Sequence, residues 1–73
     1  MVWDLHDFLI VTIALTGLAM YNISLSYEQT GDMSRAMECA REALRIWQAA
    51  LPPGHEDVVA AEKLLRRLEQ ALQ

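Results

Sequence analysis

The sequence predicts an all-α fold of three helices: a long one over residues 4–30, a second over 32–51 and a third over 55–72. Three observations carry this. Apolar residues in the second half of the chain recur at steps of three and four, the spacing of one helix face. Strong turn chemistry occurs at two places, Thr30-Gly31-Asp32 and Leu51-Pro52-Pro53-Gly54. Finally, a chain of 73 residues has little interior and makes one domain at most, here residues 1–73.

Asp4 is placed to cap the first helix, which meets no proline and only one glycine before Thr30-Gly31-Asp32. Gly31 supplies the left-handed turn and Asp32 caps the second helix. At 1.5 Å per residue the first helix is about 40 Å long, more than its neighbours can cover. In the second helix Met33, Ala36, Met37, Ala40, Ala43, Leu44, Trp47 and Leu51 define one face. The small residues Ala36, Ala40 and Ala43 let a neighbouring helix approach closely. Arg35, Glu38, Arg41, Glu42 and Arg45 fall on the other side, read as a solvated face. Pro52 and Pro53 end the helix. The third helix begins near His55 or Glu56, with Glu56 and Asp57 facing the positive end of the helix dipole. Val58, Ala61, Leu65, Leu68 and Leu72 form its seam, widened by Leu64 and Ala71, and Glu62 with Arg66 is an expected exposed ion pair.

Charge is unevenly spread. No charged side chain occurs from Phe8 to Tyr27, whereas 13 of the 16 charges lie from Asp32 onward. The net charge of −4 repels phosphate backbones and excludes a basic nucleic-acid surface. The lone Cys39 cannot form an internal disulfide, which points to a reducing compartment, the cytoplasm. The acidic leader before Phe8 is unlike a signal peptide. The uncharged stretch Phe8 to Tyr27 reaches bilayer length, so a membrane-anchored adaptor is one alternative. Against it, Thr12, Thr16 and Gly17 interrupt the apolar run, Asn22, Ser24 and Ser26 follow, and no Lys or Arg flanks it. The other reading is a helix buried by protein on nearly all sides.

The run Tyr21-Asn22-Ile23-Ser24-Leu25-Ser26-Tyr27-Glu28-Gln29-Thr30-Gly31-Asp32, continuing through Ala36 to Ala43-Leu44, resembles the tetratricopeptide repeat. Ile23, Ser24, Tyr27, Gly31, Ala36 and Ala43 occupy that repeat's signature places. The tail, Leu51-Pro52-Pro53-Gly54-His55-Glu56-Asp57-Val58, is similar to the longer variant of kinesin light chains, with Glu56 where a proline would stand. The resemblance implies a repeat unit over 18–53, an apolar extension of its first helix over 1–17, and a capping helix over 54–73. Glu69 stands where a second repeat would carry its tyrosine. It also implies a concave partner-binding face on the first helix, made by Leu18, Tyr21, Leu25, Glu28 and Gln29 with Asn22 at its edge. That set lacks the lysine and asparagine with which one branch of the family grips a C-terminal carboxylate.

Nothing in the chain asks for a cofactor, a metal or catalysis. His6 lies between Asp4 and Asp7, but adjacent helical residues point apart and no histidine stands four residues away. His55 reads as a turn or capping residue, and Cys39 as a packed thiol with no histidine placed to activate it. The expected function is a protein–protein interaction or scaffold module. Solenoid repeats bury their faces by stacking, and this chain holds about one and a half units. It is therefore expected either to belong to a longer array or to form a homo-oligomer through Phe8, Leu9, Ile10, Ile13 and Met20. A three-helix trafficking-type domain that binds short helical motifs is a further alternative.

Overall fold

The computed structural model describes residues 4–72, so residues 1–3 and 73 of the expected domain lie outside the described residues. Three helices occur in order, α1 (Leu5–Thr30), α2 (Met33–Ala50) and α3 (Glu56–Ala71). Their ends are set by local chemistry. The Asp4 side chain accepts from the Asp7 amide at 2.8 Å and caps α1. At the other end Gly31 takes φ 87°, a left-handed conformation that only glycine adopts without a Cβ penalty. Its amide donates to the Glu28 carbonyl, and the Asp32 amide donates to that of Tyr27 at 2.9 Å, which closes a Schellman turn. The Asp32 side chain then accepts from the Arg35 amide and caps α2. Leu51 leaves α2 in an extended conformation, and Nδ1 of His55 accepts from the Asp57 amide at 3.1 Å, capping α3.

The tight first turn makes α2 run antiparallel to α1. Ser24 meets Ala36 near the turn, and Gly17 meets Trp47 further away. α3 returns alongside α2 in the direction of α1, so that Arg67 on α3 comes level with Glu28 on α1. One cluster joins Ala36, Met37 and Ala40 to Leu64 and Leu68, and a second joins Trp47 to Val58 and Ala61. Tyr21 packs against both. The predicted face of α2 is the buried one: Ala36, Met37, Ala40, Ala43 and Trp47 are buried, with Met33, Leu44 and Leu51 beside them.

Two expectations on α3 are revised. Leu64 is at the centre of its seam and Leu65 at the flank, while Leu72 and Ala71 are exposed. Leu64 and Leu68 pack against Ala36, Met37 and Ala40 in the first half of α2, and Leu72 follows one turn beyond Leu68. The expected pair of Glu62 with Arg66 within α3 does not form among the described residues; the ion pair that α3 makes is between helices, Arg67 with Glu28 of α1.

α1 departs most from expectation. A helix buried on nearly all sides is not what forms, because its fully covered residues are Gly17 and Ser24 alone among those described. α2 has 18 residues against 26 in α1, and being antiparallel it ends beside Ala14 and Gly17. The residues before them extend past the body of the molecule, whose extents are 48 × 22 × 14 Å.

Candidate interaction surface

Burial along α1 divides it into two stripes. Ile10, Ala14, Gly17, Tyr21, Ser24 and Glu28, at steps of four and three, are all buried or half-buried and form the inner seam. Each step from Ala14 onward has a partner on another helix. The Ser24 hydroxyl, fully buried, donates to the Ala36 carbonyl at 2.6 Å. Gly17 lets the N–H edge of the Trp47 indole come up against the helix backbone, since a Cβ built there would stand 2.8 Å from Cε2 and closer still to Nε1. Nε1 of Trp47 in turn donates to the Ala14 carbonyl at 3.0 Å. The Tyr21 ring lies 5.6 Å from that of Trp47, tilted by 38°. Arg67 closes the seam with two hydrogen bonds to the Glu28 carboxylate, at 2.8 and 2.9 Å. Those bonds raise the Arg67 pKa and keep its charge fixed.

The opposite side of α1 is uncovered and apolar. Leu5, Phe8, Leu9, Val11, Ile13, Leu15, Leu18 and Ile23 are all exposed, Phe8 and Leu15 at 59% and 60%. Thr12 and Thr16 on this side donate their hydroxyls to the carbonyls of Phe8 and Thr12 within the helix, which masks their polarity.

The expected partner-binding residues are divided between the two sides. Leu18, Asn22 and Gln29 are exposed, whereas Tyr21 and Leu25 pack against the core and the Glu28 carboxylate is held by Arg67. Of the residues expected to self-associate, Phe8, Leu9 and Ile13 are exposed, and Ile10 and Met20 are half-buried. The exposed surface further includes Leu5, Val11 and Leu15, which the sequence did not mark, and Ile23, which it marked as a signature position of the repeat and not as a surface residue. Only Thr12 and Thr16 mark the outer face within Phe8–Met20, and each turns its hydroxyl back onto the helix, so the polar signal there is weak. Gly17 was the available signal for the inner one, since a glycine inside a helical pattern marks close approach of a neighbour.

Elsewhere the chemistry is sparse. Cys39 is half-buried, and burial, then the neighbouring Glu38, pushes its thiol up from the ordinary range. Glu42 is held below the usual carboxylate range by its hydrogen bond with Arg45, on the solvated side of α2. His6 is exposed, and among the described residues no three His, Cys, Asp or Glu side chains gather as a metal site. An open groove at the α2–α3 corner, bounded by Gln48, Leu51, Pro52, Val58 and Glu62, has Glu62 as its one ionisable lining residue among those described.

Residues 16–57 match a family model described as tetratricopeptide repeat. No curated protein and no solved structure matches the chain.

Proposed function

Because the chain belongs to the tetratricopeptide-repeat family, whose members are generally non-catalytic modules of protein–protein interaction, we propose that it is a cytoplasmic interaction module that self-associates through α1. The observation that carries this is the row of exposed apolar side chains from Leu5 to Ile23 on the side of α1 facing away from α2 and α3. A soluble monomer rarely leaves so contiguous an apolar surface in water. Full burial of one such side chain stabilises by about 1.5–3 kcal/mol, and these are roughly half exposed, so covering five yields on the order of 4–8 kcal/mol per copy. Two copies contribute twice that, against an association cost of about 4–15 kcal/mol.

The seat of Trp47 argues against α1 spanning a bilayer, although α1 is long and apolar enough to do so by length and composition. α2 lies alongside α1 as far as Ala14, and of the stretch Leu5 to Ile13 before it only Ile10 is half-buried. Those residues extend about 13 Å, less than half of the ~30 Å of a hydrocarbon core. Spanning would require the unit to strip α2 from α1.

Sedimentation equilibrium of the detergent-free chain at micromolar concentration tests the proposal. A dimer or larger assembly that Leu15→Glu dissociates, with helicity retained, is the expected result. A compact, stable monomer would sink it and leave the surface to a neighbouring repeat.

A further inference from the structure

The outer surface of α1 carries its own periodicity. Phe8, Val11, Leu15, Leu18, Asn22 and Leu25 succeed one another at steps of three, four, three, four and three, the a and d positions of a coiled coil. At 3.6 residues per turn this row is centred about 110° around α1 from the inner seam, so both can be occupied at once. Phe8, Val11, Leu15, Leu18 and Asn22 are exposed, and Leu25, at the edge nearer the core, is half-buried.

A row with this spacing fits a helix with the same repeat. Among the described residues α2 and α3 spend their apolar faces on each other and on α1, so the helix that still offers such a row is α1 of a second copy. Charge agrees with this occupant, because neither surface carries a charged residue between Phe8 and Tyr27 that would repel a copy of itself. Asn22 decides the orientation. Its amide has both a donor and an acceptor, so two Asn22 side chains facing each other across a two-fold axis satisfy one another. In the antiparallel arrangement centred on this row Asn22 would face Val11 and lose its partner.

We infer that the Phe8–Val11–Leu15–Leu18–Asn22–Leu25 row of α1 pairs with the same row of a second copy, parallel and in register at Asn22. The inference rests on the self-association reading above and specifies its geometry. The α2–α3 bodies then project to opposite sides of a two-stranded core. Flanking positions Thr12, Ala19 and Ser26 are small, which permits close approach of the two helices.

Disulfide trapping in the full chain with Cys39→Ser tests it. Leu18→Cys places a thiol on the row, and Ile23→Cys places an equally exposed one off it. Parallel pairing brings the two Leu18→Cys thiols together, so that variant is expected to form covalent dimers at least about tenfold faster than Ile23→Cys. In a mixture of Phe8→Cys and Leu25→Cys chains, the disulfide that joins one variant to the other is expected to form no faster than the Ile23→Cys dimer, because only an antiparallel pairing brings those two positions together. Asn22→Leu is expected to erase the preference for one orientation or to broaden the dimer into larger assemblies. If sedimentation shows an assembly but Ile23→Cys reacts as fast as Leu18→Cys, or the disulfide joining a Phe8→Cys chain to a Leu25→Cys chain forms faster than the Ile23→Cys dimer, the parallel row is wrong while self-association stands. A monomer in sedimentation overturns both.

Discussion

The indole Nε1 of Trp47 donates a hydrogen bond to the backbone carbonyl of Ala14 at 3.0 Å, joining the last turns of α2 to a point midway along α1. That bond marks where the repeat unit stops and the overhanging part of α1 starts. It forms only because Gly17, one turn further along α1, leaves room for the indole.

Gly17→Ala therefore destabilises the chain. Alanine in a helix is worth about 1 kcal/mol over glycine, but displacing a packed indole costs about 1–3 kcal/mol and weakening its hydrogen bond a further ~0.5–1.5 kcal/mol. A net loss of on the order of 1–3 kcal/mol is expected in denaturant unfolding. In a Trp3→Phe background the emission of Trp47 should shift to longer wavelength. A more stable Gly17→Ala protein would mean that Trp47 does not occupy this seat.

Ser24 gives two graded outcomes. Ser24→Ala removes the bond to the Ala36 carbonyl, which stays within the α2 ladder, and should cost about 0.5–1.5 kcal/mol. Ser24→Leu forces volume into a site with no exposure and should cost clearly more, separating α1 from α2. Equal effects of the two substitutions would contradict the close approach of the helices.

The Glu28–Arg67 pair ties α1 to α3 at a partly exposed site, so its contribution is modest despite two hydrogen bonds. A double-mutant cycle with Glu28→Gln and Arg67→Met should give a coupling of about 0.5–1 kcal/mol. The coupling should shrink at about 1 M salt, where screening acts within ~3 Å. A coupling of zero at low salt would place α3 elsewhere.

Cys39 predicts a pH effect on the alkaline side. Its thiol is raised by burial and by Glu38, so the folded state favours the neutral form. The stabilisation is fully present below the unfolded pKa and is lost as pH rises through the folded one. Alkylation near pH 8 should be slower in the native protein than in denaturant, where the thiol returns to its ordinary range. Equal rates in the two states would show that Cys39 is neither buried nor shifted.

The helix ends were legible because capping is local: Asp4, Gly31, Asp32 and the Pro52-Pro53 pair each act within a few residues. The buried face of α2 was legible for the same kind of reason, since its charged and apolar residues alternate at helical spacing. Where a choice depended on how two helices cross, the sequence was silent. Leu64 and Leu72 look equivalent on α3, yet only Leu64 meets α2. Arg66 and Arg67 are neighbours, yet only Arg67 reaches Glu28. In α1 the binary pattern of polar and apolar residues fails between Phe8 and Met20, because nearly every position is apolar and either side qualifies as a core face. The partner-binding residues expected from the family resemblance, all but Leu18 of which follow Met20, divide across the two sides because Tyr21, Leu25 and Glu28 are taken up by contacts with α2 and α3.

The central claim is that α1 uses one side to fold and the other to associate, so that the two processes are coupled. The most direct measurement is the thermal unfolding midpoint of the full chain as a function of its concentration, from about 1 to about 100 µM. Coupling predicts that the midpoint rises steadily across that range, and that Leu15→Glu lowers it and flattens the dependence. A midpoint independent of concentration in the unsubstituted chain would contradict the account.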